Sequence, residues 1–233
     1  MSAFDRMTML DHLEELRRRL WTSLAAVALG AIIVYSFSGR VLAWLARPVG
    51  HLVFVQPFEA FMAHLHIAVM GGIVLALPVL VYELTEFVRP ALALRQQRWL
   101  TASACASVVL FCAGMAIAYL LVIPLGLKFL LSFSSETVQP MLSVGSYVST
   151  VGWLLIAFGL AFQLPIVVFV LALLGVVDAR TLARWRPYAI VGLLIVAAAV
   201  TPGPDVLSQI ALAIPLWLLF ELSIWLIRMA KPT

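Results

Sequence analysis

Six apolar runs, joined by short polar connections, govern what this sequence can fold into. About 20 apolar residues suffice for a helix to cross a ~30 Å hydrocarbon layer. With 64% hydrophobic and 11% charged residues and a mean hydropathy of +1.09, the chain has far more apolar surface than a soluble domain needs. No polar stretch is long enough for a separate soluble unit, so residues 1–233 read as one polytopic, all-α integral membrane domain. The expected spans cover residues 20–37, 60–82, 99–123, 148–177, 188–200 and 207–227.

Ser38-Gly39-Arg40 is expected to end the first span, and residues 39–58 to form a loop carrying a short surface helix at 41–45. Gly71-Gly72 and Pro78 interrupt the second span. The fourth is long enough to tilt strongly and has Gln163 and Pro165 near its middle. The fifth has only 13 strongly apolar residues. It covers ~20 Å, so it forms a short hairpin with the sixth that either thins the bilayer or rests on a neighbour.

Six spans put both termini on one side. That side holds Arg6, Arg17, Arg18, Arg19, Arg89, Arg95, Arg98, Arg180, Arg184, Arg186, Arg228 and Lys231, against Arg40, Arg47 and Lys128 on the other. Basic residues concentrate on cytoplasmic loops, so both termini are expected in the cytoplasm. The same clustering at segment ends argues against reading the +4 net charge as nucleic-acid affinity. Residues 1–19 are charged and amphipathic, unlike a cleavable leader.

Residues 8–20 predict an amphipathic helix. Leu10, Leu13, Leu16 and Leu20 make an apolar stripe, and Thr8 with Asp11 matches a capping box. Glu14 with Arg18 and Glu15 with Arg19 are i,i+4 pairs, each worth ~0.3 kcal/mol. Such a helix is either a solvated juxtamembrane element or a docking surface.

Among polar groups in the spans, Gln163 is either glue between helices or a polar spot in an open groove. His64 and His66 point to different helix faces and read as satisfied core or interface residues rather than a metal pair. Cys105 and Cys112 lie about 10 Å apart along one helix, too far for a disulfide, and read as packing residues. Glu59 opens the second span at a favourable helix N-terminus. Glu83 and Glu86 close that span, and with Glu14 and Glu15 they could share one surface suited to guanidinium capture. Glu221 is expected to snorkel or to pair within the bundle near Arg228. No hydrolase motif, metal motif, P-loop or cofactor motif occurs, which leaves a receptor or scaffold, or an ion-coupled small-molecule transporter.

Seven ordered motifs narrow the choice. They are H-L-E-E-L-R-R-R-L at 12–20, P-F-E-A-F at 57–61, Y-E-L-T-E-F-V-R-P-A-L at 82–92 and F-G-L-A-F-Q-L-P at 158–165. R-P-Y at 186–188, T-P-G-P-D-V-L-S-Q at 201–209 and A-I-P-L-W-L-L-F-E at 213–221 complete the set. Over essentially its whole length the chain resembles the TatC family, the multispan receptors of the twin-arginine protein translocase.

The resemblance implies a glove-shaped bundle with a concave, lipid-open face and two short final helices in the bacterial cytoplasmic membrane. It implies a non-catalytic receptor, without cofactor, for folded precursors bearing Arg-Arg signal peptides. The implied partners are single-span TatA/TatB-type subunits and further copies of the chain, with export driven by the proton gradient. Glu15, Leu16, Arg17 and Arg19, with Phe87 and Pro90, would form the signal-peptide site. Pro48, Phe58 and Glu59 would shape an external cap, and Thr201, Asp205 and Gln209 would meet partner subunits. Many members of the family carry glutamates where this chain has Gln96 and Gln163. Glu83 or Glu86 is therefore expected to supply the missing negative charge near Gln96, and a neutral Gln163 argues against proton relay by the fourth span.

Overall fold

The computed structural model describes residues 9–132, 141–200 and 206–230. Thr8, Thr201 and Asp205 lie outside them. The described chain is helical throughout: α1 Met9–Leu45, α2 Glu59–Val88, α3 Leu94–Ile117, α4 Ile123–Leu131 and α5 Val144–Ala161, then α6 Leu164–Leu173, α7 Ala179–Arg184, α8 Arg186–Val200 and α9 Val206–Ala230. A π-helical turn, Ala118–Val122, joins α3 to α4 without a break. Six apolar segments result: α1, α2, α3–α4, α5–α6, α8 and α9. The first four are each long and apolar enough to cross a membrane.

The amphipathic N-terminus, the first apolar run and the supposed surface helix prove to be one 37-residue helix. Ser38-Gly39-Arg40 does not end it, because the Ser38 hydroxyl donates to the Tyr35 carbonyl at 2.7 Å and His64 Nδ1 meets Ser38 Oγ at 2.9 Å. The serine proton is committed to Tyr35, so His64 supplies the proton of the second bond. His64 is thus a satisfied interhelical residue, whereas His66 is exposed.

Gly71-Gly72 does not interrupt α2 either. It is the notch into which α1 fits: a Cβ at Gly72 would lie 2.6 Å from the Ala31 nitrogen, and one at Gly30 would lie 2.8 Å from the Gly72 carbonyl oxygen. Without a hydrophobic drive between helices in lipid, backbone approach at small residues supplies the packing. Cys105 and Cys112 are free and exposed on α3 rather than packed in the core. A thiol facing lipid keeps an apolar environment, so burial was not needed to explain it.

The fourth segment breaks where Pro165 lacks an N–H. α5 ends at Ala161, Gln163 bonds to Leu160 through its nitrogen at 2.9 Å, and α6 starts at Leu164. α6 ends on Gly175 at φ 80°, with the Val176 nitrogen reaching the Leu171 carbonyl at 3.0 Å. The expected basic loop that follows contains α7, capped by Asp178 through the Ala179 N–H at 2.9 Å. α8 spans only 15 residues, about 22 Å, and α9 has 25, so the length deficit of the last pair resides in α8.

The main core is centred on α5, where Val148, Leu154 and Phe158 are buried with Ile67 of α2, Val122 of the π turn and Leu216 of α9. A second cluster, Leu92, Leu100, Phe169, Leu173 and Ile227, closes the side at which the N-terminus lies. Three buried hydroxyls are satisfied within their own helices: Thr85 on Val81, Ser103 on Leu100 and Ser223 on Leu219, at 2.6–2.8 Å. That accounting is obligatory where no water can substitute.

Candidate functional site

The charged contacts lie at helix ends. On the N-terminal side, Arg19 of α1 reaches in two directions. Its Nε and Nη2 donate to Glu15 Oε1 at 3.0 and 2.6 Å, and its Nη1 donates to Glu83 Oε2 of α2 at 2.9 Å. One guanidinium thereby fastens the start of α1 to the end of α2, with two carboxylates around one cation. The second oxygen of Glu15, Oε2, is buried and has no hydrogen-bond partner. A buried acceptor left open costs about 1–3 kcal/mol, more when charged, so it is a place where a donor would be welcome.

The residues around this centre are amphipathic. His12 stacks on Phe87 with ring centroids 4.4 Å apart and an interplanar angle of 19°. Glu86 pairs with Arg89 at 2.6 Å, leaving Arg89 Nε buried and unpartnered. Pro90 sits in the 3-10 turn Arg89–Ala91 that carries the chain from α2 towards α3. Leu16 and Arg17 are exposed on α1. Glu14 and Arg18 form no ion pair with each other, so only one of the two expected i,i+4 pairs exists. The leucine stripe does not pack on the bundle: Leu13, Leu16 and Leu20 are all exposed.

The structure therefore brings Glu15, Arg19 and Glu83 into one cluster, with Phe87 beside Glu86 on the same helix end. Gln96 has a different role from these. Its Oε1 accepts from the Ala93 N–H and its Nε2 donates to the Leu173 carbonyl, both at 3.1 Å. The amide clasps the start of α3 to the end of α6. His12 was not singled out as a site residue, although its place one turn before Glu15 was a usable signal.

Elsewhere, Gln163 is bound to α3. Its Oε1 accepts from the Ser107 hydroxyl and its Nε2 donates to the Ser107 carbonyl at 3.0 Å. At this position the side chain acts as interhelical glue. Gln209 likewise ties α9 to α8, donating to the Leu194 carbonyl at 3.0 Å. Glu221 pairs with Arg186 at 2.7 Å rather than with Arg228, because the hairpin folds α8 back against α9.

On the far side, the turn after α1 contains Pro48, and Phe58 is exposed ahead of α2. Glu59 accepts from the Val55, Gln56 and Gly145 nitrogens at 2.6, 3.2 and 2.8 Å. Val53 pairs with the strand-like residue Ser143, and the phenol groups of Tyr119 and Tyr147 donate to the Trp44 and Leu45 carbonyls at 2.9 and 2.8 Å. This end is a stitched cap.

Fold and edges together define a polytopic α-helical membrane protein with a charged cluster near one end of its longest helix. Residues 11–215 match the family described as "Sec-independent protein translocase protein (TatC)". The Sec-independent protein translocase protein TatC of Carboxydothermus hydrogenoformans is 39% identical over 97% of this chain and 95% of its own length. That of Aquifex aeolicus is 38% identical over 96% of each. The chloroplastic TATC of Arabidopsis thaliana is 34% identical over 96% of this chain and 67% of its own. A crystal structure of the twin-arginine translocase receptor TatC superposes with a TM-score of 0.80 at 38% identity, covering 94% of this chain and 99% of that one. The chain belongs to the TatC family, and it is a membrane subunit of the Sec-independent translocase.

Proposed function

We propose that this chain is the non-catalytic receptor of its translocase, binding the paired arginines of precursor signal peptides at the Glu15–Arg19–Glu83 edge. The observation that carries the reading is the open Glu15 Oε2: it is buried, anionic and unpartnered, beside a cluster holding two carboxylates and one guanidinium. A guanidinium donor suits such an acceptor, and its planar fork favours arginine over lysine. Of the two carboxylates proposed to replace a charge at Gln96, Glu83 belongs to this cluster, while Glu86 is neutralised by Arg89. Leu16, Arg17, Phe87 and Pro90 frame the same edge, and the apolar part of the signal segment follows the exposed leucines of α1 into the membrane.

In this reading both termini are cytoplasmic, the membrane is the bacterial inner membrane, and the stitched cap with Pro48, Phe58 and Glu59 is external. Single-span TatA/TatB-type subunits pack along the α8–α9 hairpin, near Thr201, Asp205 and Gln209, in an oligomeric receptor driven by the proton gradient. The Gln209 bond to Leu194 supports a preformed hairpin for that contact. Photo-crosslinking from position 15 to a folded precursor tests the recognition step. A leader with Arg-Arg should label strongly and a Lys-Lys leader weakly; equal labelling of both would refute it.

A further inference from the structure

A lateral recess of about 440 Å³ opens between α1, α2, α3 and α5, and its walls are apolar: Val34, Val74, Pro78, Cys112, Met115 and Leu155 represent all four helices. Along α2 it runs from Ile67 to Pro78, which at 1.5 Å per residue is about 16 Å. That matches the depth of one leaflet, about half of a ~30 Å hydrocarbon core. The leaflet-deep length and apolar walls of the recess suit a hydrocarbon chain lying along it.

The far end of the recess has the features of a headgroup level. Trp44 lines it and stacks on Tyr119, with centroids 4.0 Å apart. Such aromatic residues concentrate at membrane–water boundaries. Within one helical turn of Trp44 stand Arg40 and Arg47, both exposed and neither in an ion pair among the described residues. Arg40 has the Phe37 ring beneath it, 5.7 Å from the centroid, which leaves its donors free for an anion.

We propose that this recess is a binding site for one anionic phospholipid of the far leaflet, with an acyl chain in the groove and the phosphate at Arg40 and Arg47. The site is independent of the signal-peptide reading, since it lies at the opposite end of α1 from Glu15. Anionic character follows from the two exposed guanidinium groups within one turn of Trp44 that are in no ion pair among the described residues, and the acyl chain follows from the groove's apolar walls and leaflet-deep length.

The test is native mass spectrometry of the purified full chain, offered phosphatidylglycerol and phosphatidylcholine at equal concentration. The wild type should retain one phosphatidylglycerol in preference. Arg40→Gln and Arg47→Gln should each reduce that preference about fivefold, the contribution expected of one basic residue near an anionic headgroup. Cys112→Phe and Val74→Phe fill the groove from two different helices, and either should expel the lipid while the thermal midpoint confirms a folded protein. Equal retention of the neutral lipid, or undiminished retention in folded groove-filled variants, overturns the proposal. So does a photoreactive residue at position 112 that labels an apolar peptide instead of lipid.

Discussion

At the far side of the bundle Glu59 directs its carboxylate oxygens to three backbone N–H groups, whereas at the N-terminal side Glu15 leaves one oxygen buried and open. Two tyrosine hydroxyls and a short backbone pairing complete the far side. The N-terminal edge instead keeps an unsatisfied acceptor on Glu15 and an unsatisfied donor on Arg89. The first arrangement fixes the chain to itself; the second leaves hydrogen-bonding capacity unmet. Position in the fold, rather than residue type, decides which carboxylate is structural and which is available.

The largest test of this contrast is Glu15→Gln. It removes the charge that holds Arg19 and the open acceptor together, so capture of an Arg-Arg precursor in crosslinking should fall about ten- to a hundredfold, the span expected for a charged hydrogen bond. Its thermal midpoint should fall less, because glutamine keeps an acceptor for Arg19 and Arg19 keeps its bond to Glu83. Glu59→Ala should do the reverse. Its midpoint should show the largest drop of the set as three N–H groups lose their acceptor, while a detergent-solubilised sample that remains folded still captures precursor.

Glu83→Gln should weaken capture by about fivefold, roughly one charge-mediated contact of ~1 kcal/mol, and Glu86→Gln by less, since Arg89 already neutralises it. Equal losses for the two would put the missing charge on Glu86 after all. Gln96→Glu retains the acceptor for Ala93 but loses the donor to Leu173. It should lower the midpoint by about 2–4 °C, roughly one hydrogen bond in a chain of this size, without raising capture. Enhanced capture would instead make position 96 part of the recognition surface. Tyr147→Phe, which loses one buried bond to Leu45, should cost about 1 kcal/mol and leave capture unchanged.

Much of this was legible in the sequence where the physics is local. The Glu15–Arg19 pair follows from i,i+4 spacing, and the break near Gln163 follows from Pro165. The partners of Glu83, Gln96 and Glu221 were not, because each comes from another helix, and a pattern of apolar runs carries no information about which helix is adjacent. Ser38-Gly39-Arg40 misled for a related reason. It reads as a helix stop in water, but in the bundle a serine back-bond and a histidine from α2 carry the helix through. The leucine stripe on α1 identified an apolar face correctly but not its direction. When the solvent is itself hydrocarbon at one end and water at the other, an apolar face need not point inward.

The unbroken α1 has a mechanical consequence. At 37 residues it is a rod of about 56 Å, with Glu15 near one tip and the carbonyls gripped by Tyr119 and Tyr147 at the other. A rod without a joint cannot absorb a tilt along its length. A push on the Glu15 tip is therefore carried to Trp44 and Leu45 as a lever arm moves its far end, and under the proposed receptor reading this links the two ends of the bundle.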